Sequence, residues 1–76
     1  MPKSQNQKLK LLFLRRILLE ETDENHHLNA EQLVDRLEEL GVSADRKTIY
    51  ADVNALRDFG MDIILQRGPG GGYSVA

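Results

Sequence analysis

Three stretches of helical period followed by one of strand period organise the chain. From Ser4 to about Glu21 the residues are mostly Leu, Lys, Arg and Gln, which are good helix formers. Leu9, Phe13 and Ile17, with Leu12, step by four and three along one helical face, and Leu11, Leu14 and Leu18 form a second stripe beside it. This apolar arc is wider than a small surface helix needs. The helix is therefore expected either to span the middle of the domain or to lie between the core and a partner chain. Thr22–His27 is polar and breaks the period, so it reads as a loop. Asn29 then stands as a helix cap, with Gln32 three residues on as its capping-box partner. Ala30, Leu33, Val34, Leu37 and Leu40 follow at helical spacing among Glu31, Asp35, Glu38 and Glu39, and Gly41 ends this second helix.

Ser43 is the next cap candidate, with Asp45 in the first turn favoured by the helix dipole. Ile49, Val53 and Leu56 repeat at four and three, so a third helix is expected from about Ala44 to Phe59, closed by Gly60. After Gly60 the period changes. Met61–Arg67 is rich in Ile and Leu and too short for a helix; Gly68–Gly72 is a turn; Tyr73-Ser74-Val75 returns as the paired strand. The expected fold is α+β: a winged helix-turn-helix in which three helices precede a β-hairpin wing. It forms a single domain over 1–76, with helices near 4–21, 30–40 and 44–59 and the wing near 61–76.

Size narrows the function. A chain of 76 residues hides roughly 60 to 65% of its unfolded surface, enough for one core but not for a cleft between lobes. No cysteine is present, which removes disulfides, thiolate zinc sites and cysteine nucleophiles. Leu9–Leu19 is broken by Lys10, Arg15 and Arg16, so no membrane span is expected, and it lacks the cleavage site of a secretory signal. A cytoplasmic domain is the default. The net charge of −2 argues against a nucleic-acid binder when taken alone. Its distribution is uneven, however: residues 1–19 carry five basic groups and no acid, residues 20–42 sum to −7, and residues 43–76 sum to zero. A phosphate backbone responds to the face it meets, so the total does not settle the partner.

With Ile49, Val53 and Leu56 turned inward, the opposite face of the third helix presents Arg46, Lys47, Tyr50, Ala51, Asn54 and Arg57, with Thr48 near the boundary and Ser43 in the turn before it. In a helix-turn-helix the start of this helix enters the major groove. Arg and Lys donate to guanine acceptors, Asn pairs two ways with adenine, and Thr and Ala meet the thymine methyl. An ordinary solvated face is the alternative. The Gly-rich turn is not followed by Lys-Ser/Thr and a helix, as a phosphate-cradling nucleotide loop requires. As a hairpin tip, Gly70 and Gly71 allow close approach to a sugar-phosphate backbone and Arg67 supplies charge; a plain flexible turn is the rival. Lys8, Lys10, Arg15 and Arg16 are either phosphate contacts or solvated side chains. Tyr73 is expected to pack its ring on the core and send its hydroxyl outward.

His26-His27 is the only histidine cluster, without further ligands for a metal, and reads as loop. Glu20, Glu21, Asp23 and Glu24 suit solvation and repulsion of DNA better than acid–base catalysis. Neither an enzyme nor a cofactor is expected.

The run Gly41-Val42-Ser43, then Arg46-Lys47-Thr48-Ile49-Tyr50-Ala51-Asp52-Val53-Asn54-Ala55-Leu56, then Gly60, resembles the recognition-helix signature of DeoR-type winged helix regulators. The tail Gly71-Gly72-Tyr73 is similar to the wing of bacterial WYL-domain transcriptional regulators, and together the likeness covers residues 6 to 76. The resemblance implies a bacterial transcription factor that binds double-stranded DNA as a homodimer on a repeated or palindromic site. The family's basic pair falls on Arg46 and Lys47, and its Tyr-x-Asp step on Tyr50 and Asp52. Three departures stand out. Ala44-Asp45 lengthens the stretch before the basic pair, which is expected to move the helix start earlier. Ala51 stands where the family often has Arg. The chain also stops at Ala76, where such regulators continue into a ligand-sensing region. A domain cut from a longer protein is therefore expected, with any small-molecule effector acting through a C-terminal region this chain lacks. The rival reading is a winged helix used as a protein-interaction or dimerisation module, favoured by the low pI and the wide apolar arc of the first helix.

Overall fold

In the computed structural model, which describes residues 2–75 and their side chains from Leu9 onward, the chain forms α1 (Pro2–Glu21), α2 (Ala30–Glu39), α3 (Arg46–Phe59), β1 (Ile63–Gln66) and β2 (Gly72–Val75). The arrangement is α+β, three helices followed by a two-stranded antiparallel hairpin. Local chemistry sets most of the boundaries. Asn29 caps α2 in the expected box: its side chain accepts from the Gln32 N–H at 2.8 Å, and the Gln32 side chain accepts from the Asn29 N–H at 2.9 Å. At the far end Gly41 takes φ +83°, which lets its N–H reach the Glu38 carbonyl and the Val42 N–H reach the Leu37 carbonyl. Two carbonyls of the last turn are thereby satisfied, and Val42 is buried with Leu37. Gly60 ends α3 with the same pair of bonds.

Strand β1 pairs with β2 in the register Ile63↔Val75, Ile64↔Ser74, Leu65↔Tyr73 and Gln66↔Gly72, so the strands are shorter than the period change suggests. The hairpin is fastened on its other edge by Thr22 of the polar loop and by Leu28, which precedes the α2 cap. Leu28 and Tyr73 exchange backbone hydrogen bonds of 3.0 and 2.7 Å. Thr22 donates its hydroxyl to the Leu18 carbonyl at 2.6 Å and accepts the Val75 N–H at 3.1 Å. Gly72 is required here, because a Cβ would lie 2.5 to 2.7 Å from the backbone of Leu28 and Asn29.

The core joins Leu14, Ile17 and Leu18 of α1 to Ala30, Leu33 and Leu37 of α2, Ile49, Val53 and Leu56 of α3, and Val42, Ile63 and Tyr73. Helix α1 is rolled relative to the expected phase. The inward stripe is Leu14, Ile17 and Leu18, while Leu9 and Leu12 lie outside. With leucine at positions 9, 11, 12, 14, 18 and 19, periodicity alone cannot choose the buried side. The choice puts Lys10 inside (3% exposed), its Nζ 2.8 Å from Asp52 Oδ2 of α3. That oxygen has no well-directed hydrogen bond, so the ammonium is its compensation. Among the described residues no helix is long and apolar enough to cross a membrane.

Candidate nucleic-acid interface

The start of α3 differs from expectation. The cap is Asp45, not Ser43, and the helix begins at Arg46, later than Ala44 and not earlier. Asp45 Oδ1 accepts the Thr48 N–H at 3.0 Å, while Thr48 Oγ1 accepts the Asp45 N–H at 3.3 Å and donates to the Asp45 carbonyl at 2.9 Å. A reciprocal box of this kind outcompetes a single serine cap two residues upstream. It also commits the Thr48 hydroxyl to the backbone, leaving only its methyl for a base. Ser43 stays exposed in the turn.

These bonds, led by the Thr48 N–H, hold the Asp45 carboxyl below its ordinary pKa. A depressed carboxylate stabilises the fold above its unfolded pKa and loses that contribution as pH falls through the lower folded value. The start of α3 is therefore expected to loosen in acid, below about pH 4, in wild type but not in Asp45→Asn, where the cap is uncharged. Amide hydrogen exchange at Lys47 and Thr48 against pH measures this. Identical profiles for the two proteins would remove the carboxylate as the cause.

Ile49, Val53 and Leu56 turn inward, and Arg46, Lys47, Thr48, Tyr50, Ala51, Asn54 and Arg57 are all exposed, as the spacing predicts. Their partners separate them. Arg46 Nη1 lies 3.5 Å from Glu31 Oε1 of α2, a pair exposed enough to be exchanged readily for another anion. Lys47 has no ion pair among the described residues. Arg57 is exposed but already engaged: its Nε donates to the Ile63 carbonyl at 3.1 Å and its Nη1 to Asn54 Oδ1 at 3.4 Å. It ties β1 to α3, and it takes up one acceptor of the Asn54 amide.

Tyr50 and the hairpin come together at a shared hollow of about 240 Å³, bordered by Asn29, Tyr50, Leu65, Gln66 and the backbone of Gly68 and Gly71. Arg46 joins Tyr50 and Asn29 at the adjoining recess. At the hairpin tip Arg67 and Gly70 are exposed, but Gly71 is half-buried, its site closed to a Cβ by the Gln66 carbonyl. Glycine there is explained by the turn itself. Tyr73 packs into the core with only 5% of its surface exposed, and burial pushes its phenol pKa up.

Among the described side chains, Lys10, Arg15 and Arg16 of α1 are engaged elsewhere. Lys10 is buried on Asp52, Arg16 lies over the Phe13 ring at 5.2 Å, and Arg15 borders a different groove with Leu12 and Phe59. Lys8 lies outside the described side chains. His26 Nδ1 sits 2.8 Å from Asp23 Oδ1 in the α1–α2 turn. The Lys10–Asp52 pair, the Leu28 bridge and the Arg57 tie join residues too far apart or too unlike in type for spacing to reveal. No protein-family model, curated protein or solved structure matches this chain.

Proposed function

We propose that the chain is a winged helix-turn-helix domain that binds double-stranded DNA, as the DNA-binding part of a bacterial transcriptional regulator of the kind its α3 signature resembles. The observation that carries the reading is the exposed Arg46, Lys47, Tyr50, Ala51 and Asn54 on one helix, bordered through Tyr50 by a glycine-tipped hairpin bearing Arg67. A helix and a ribbon side by side offer the two contacts such a domain needs. Helix α3 enters the major groove and reads base edges; the hairpin tip follows the backbone or minor groove. Lys47 and Tyr50 are the readers with the fewest competing bonds, and Arg46 exchanges Glu31 for a phosphate or a guanine.

With net charge −2 and the acidic α2 surface nearby, attraction to DNA comes from a few local cations. Binding is accordingly weak for the isolated domain, with a salt slope set by the number of those few phosphate contacts. A homodimer on a two-fold site would supply the missing affinity. No cofactor enters this mechanism.

The test is a titration of labelled protein with a mixed-sequence duplex at low salt, following backbone amides. Arg46–Asn54 and Gly68–Gly72 are expected to shift, and the shifts to fade as salt rises. Arg46→Ala and Lys47→Ala each weaken binding by about 1 to 3 kcal/mol, whereas Glu31→Gln strengthens it by freeing Arg46. Arg67→Ala reduces the salt slope by about one phosphate contact. Arg57→Ala instead lowers stability, because it releases β1. Unchanged affinity in both Arg46→Ala and Lys47→Ala would exclude α3 as the reading element. Shifts confined to α1 would favour the rival reading of a protein-interaction module, which the exposed Leu12 and Phe59 support.

A further inference from the structure

The roll of α1 that buries Lys10 leaves an outward stripe of Leu9, Leu12, Arg16 and Leu19, with the three leucines 41%, 63% and 46% exposed. Beside it Phe59, 78% exposed on the last turn of α3, borders a groove of about 460 Å³ with Leu11, Leu12, Arg15, Ala55 and Leu56. Scattered exposed apolar side chains need no explanation, but a continuous row beside an apolar groove does. We infer that this face is the contact surface for a second copy of the same chain, with the two α1 helices crossing antiparallel about a two-fold axis.

Two features of the stripe specify that occupant. The first is its spacing. Steps of three, four and three are those of a coiled-coil seam, and they read the same in both directions. An antiparallel copy turned about a point midway between Leu12 and Arg16 therefore presents the stripe to itself. Leu9 falls opposite Leu19, and Leu12 falls against the aliphatic stem of Arg16. The second is charge. Residues 1–9 carry Lys3 and Lys8 and no acid, and Glu20 and Glu24 lie beyond the other end of the stripe, whereas Lys10, Glu21 and Asp23 are already paired with Asp52, Arg36 and His26. Antiparallel pairing sets each acidic end beside the other copy's basic start, whereas parallel pairing opposes like charges. Glu20 has no ion pair among the described residues, so it is available for this role.

The contact is small. A stable interface needs about 800 Å² from each partner, more than one helix stripe and a phenylalanine supply, so association is weak, in the range of roughly 10 µM to 1 mM. The surface lies on the α1 side of α3, and Phe59 is thirteen residues from Arg46, about 20 Å along the helix. A dimer formed here leaves the start of α3 uncovered. The inference thus deepens the proposed function by naming the dimer surface, yet its test needs no DNA.

Sedimentation equilibrium of the full chain from about 10 µM to about 1 mM is expected to show mass rising from 8.6 kDa toward twice that value. Leu12→Glu is expected to weaken association at least about tenfold, and Glu20→Lys about threefold at low salt. Both positions are exposed, so the variants fold, which far-UV circular dichroism checks. Orientation is read by mixing Leu9→Cys and Leu19→Cys chains in this cysteine-free background. The oxidised mixed dimer should form faster than either self-linked one. A wild type that stays monomeric throughout, wild-type association by Leu12→Glu, or preferential self-linking would each overturn the inference. A dimer that fails to bind DNA would instead reject the DNA reading and leave this surface intact.

Discussion

Gly72→Ala is expected to lower the stability of the domain by about 3 kcal/mol. The added methyl would meet the Leu28 carbonyl carbon and oxygen at 2.5 and 2.6 Å and the Asn29 nitrogen at 2.7 Å. All three are backbone atoms, and Asn29 is held by the α2 capping box, so neither side can yield cheaply. The way out is to separate β2 from Leu28. That loses two backbone hydrogen bonds of about 0.5 to 1.5 kcal/mol each and uncovers part of Tyr73. For a chain of 76 residues, whose whole stability is about 4 to 11 kcal/mol, the loss is severe. Urea denaturation followed by circular dichroism measures it. A change below about 0.5 kcal/mol would mean that the Leu28–Tyr73 bridge does not hold the hairpin. The hairpin should also detach first, so the amides of Leu28 and Tyr73 lose exchange protection before those of the helices.

Lys10→Met is expected to cost about 2 to 3 kcal/mol, and the double variant Lys10→Met/Asp52→Leu to regain most of it. Methionine fills the volume of the lysine stem but leaves the Asp52 carboxylate without its counter-ion. Removing one partner of a fully buried pair costs about 3 to 5 kcal/mol; the Asp52 side chain is 21% exposed, which lowers the figure. In the double variant both charges are gone and their desolvation cost with them. Stability is therefore not what the pair supplies. The pair is made in the roll of α1 against α3 that also turns the Leu12 stripe outward, and it is expected to favour that roll over others. The double variant should accordingly fold well but show shifted amide resonances along α1 and α3. Unchanged stability in Lys10→Met, or a double variant worse than the two single ones combined, would remove this account.

What could be read from residue order was mostly short-range. The α2 capping box, the glycine that ends it and the inward set Ile49, Val53 and Leu56 depend on residues three or four apart, and spacing reveals them. The start of α3 is set just as locally. Asp45 and Thr48 form as good a box as Asn29 and Gln32, and the pattern was legible three residues apart. The exposed face of α3 followed from the same periodicity, but which of its side chains are occupied did not. Arg57 is committed to Ile63 and Arg46 faces Glu31, and both partners lie on other elements.

Residue order alone thus accounts for the number, kind and succession of elements, since each depends on torsional preference, caps and period within a few residues. Three-dimensional packing chose what those rules leave degenerate. A helix with leucines on every side has several equivalent faces, and the one that packs inward carries Lys10 to Asp52. The segment between α1 and α2 has no period, and its Thr22 and Leu28 become the hairpin's anchors only because β2 arrives beside them. Contacts between residues fifty positions apart leave no mark on local spacing, because their free energy exists only once the chain has closed.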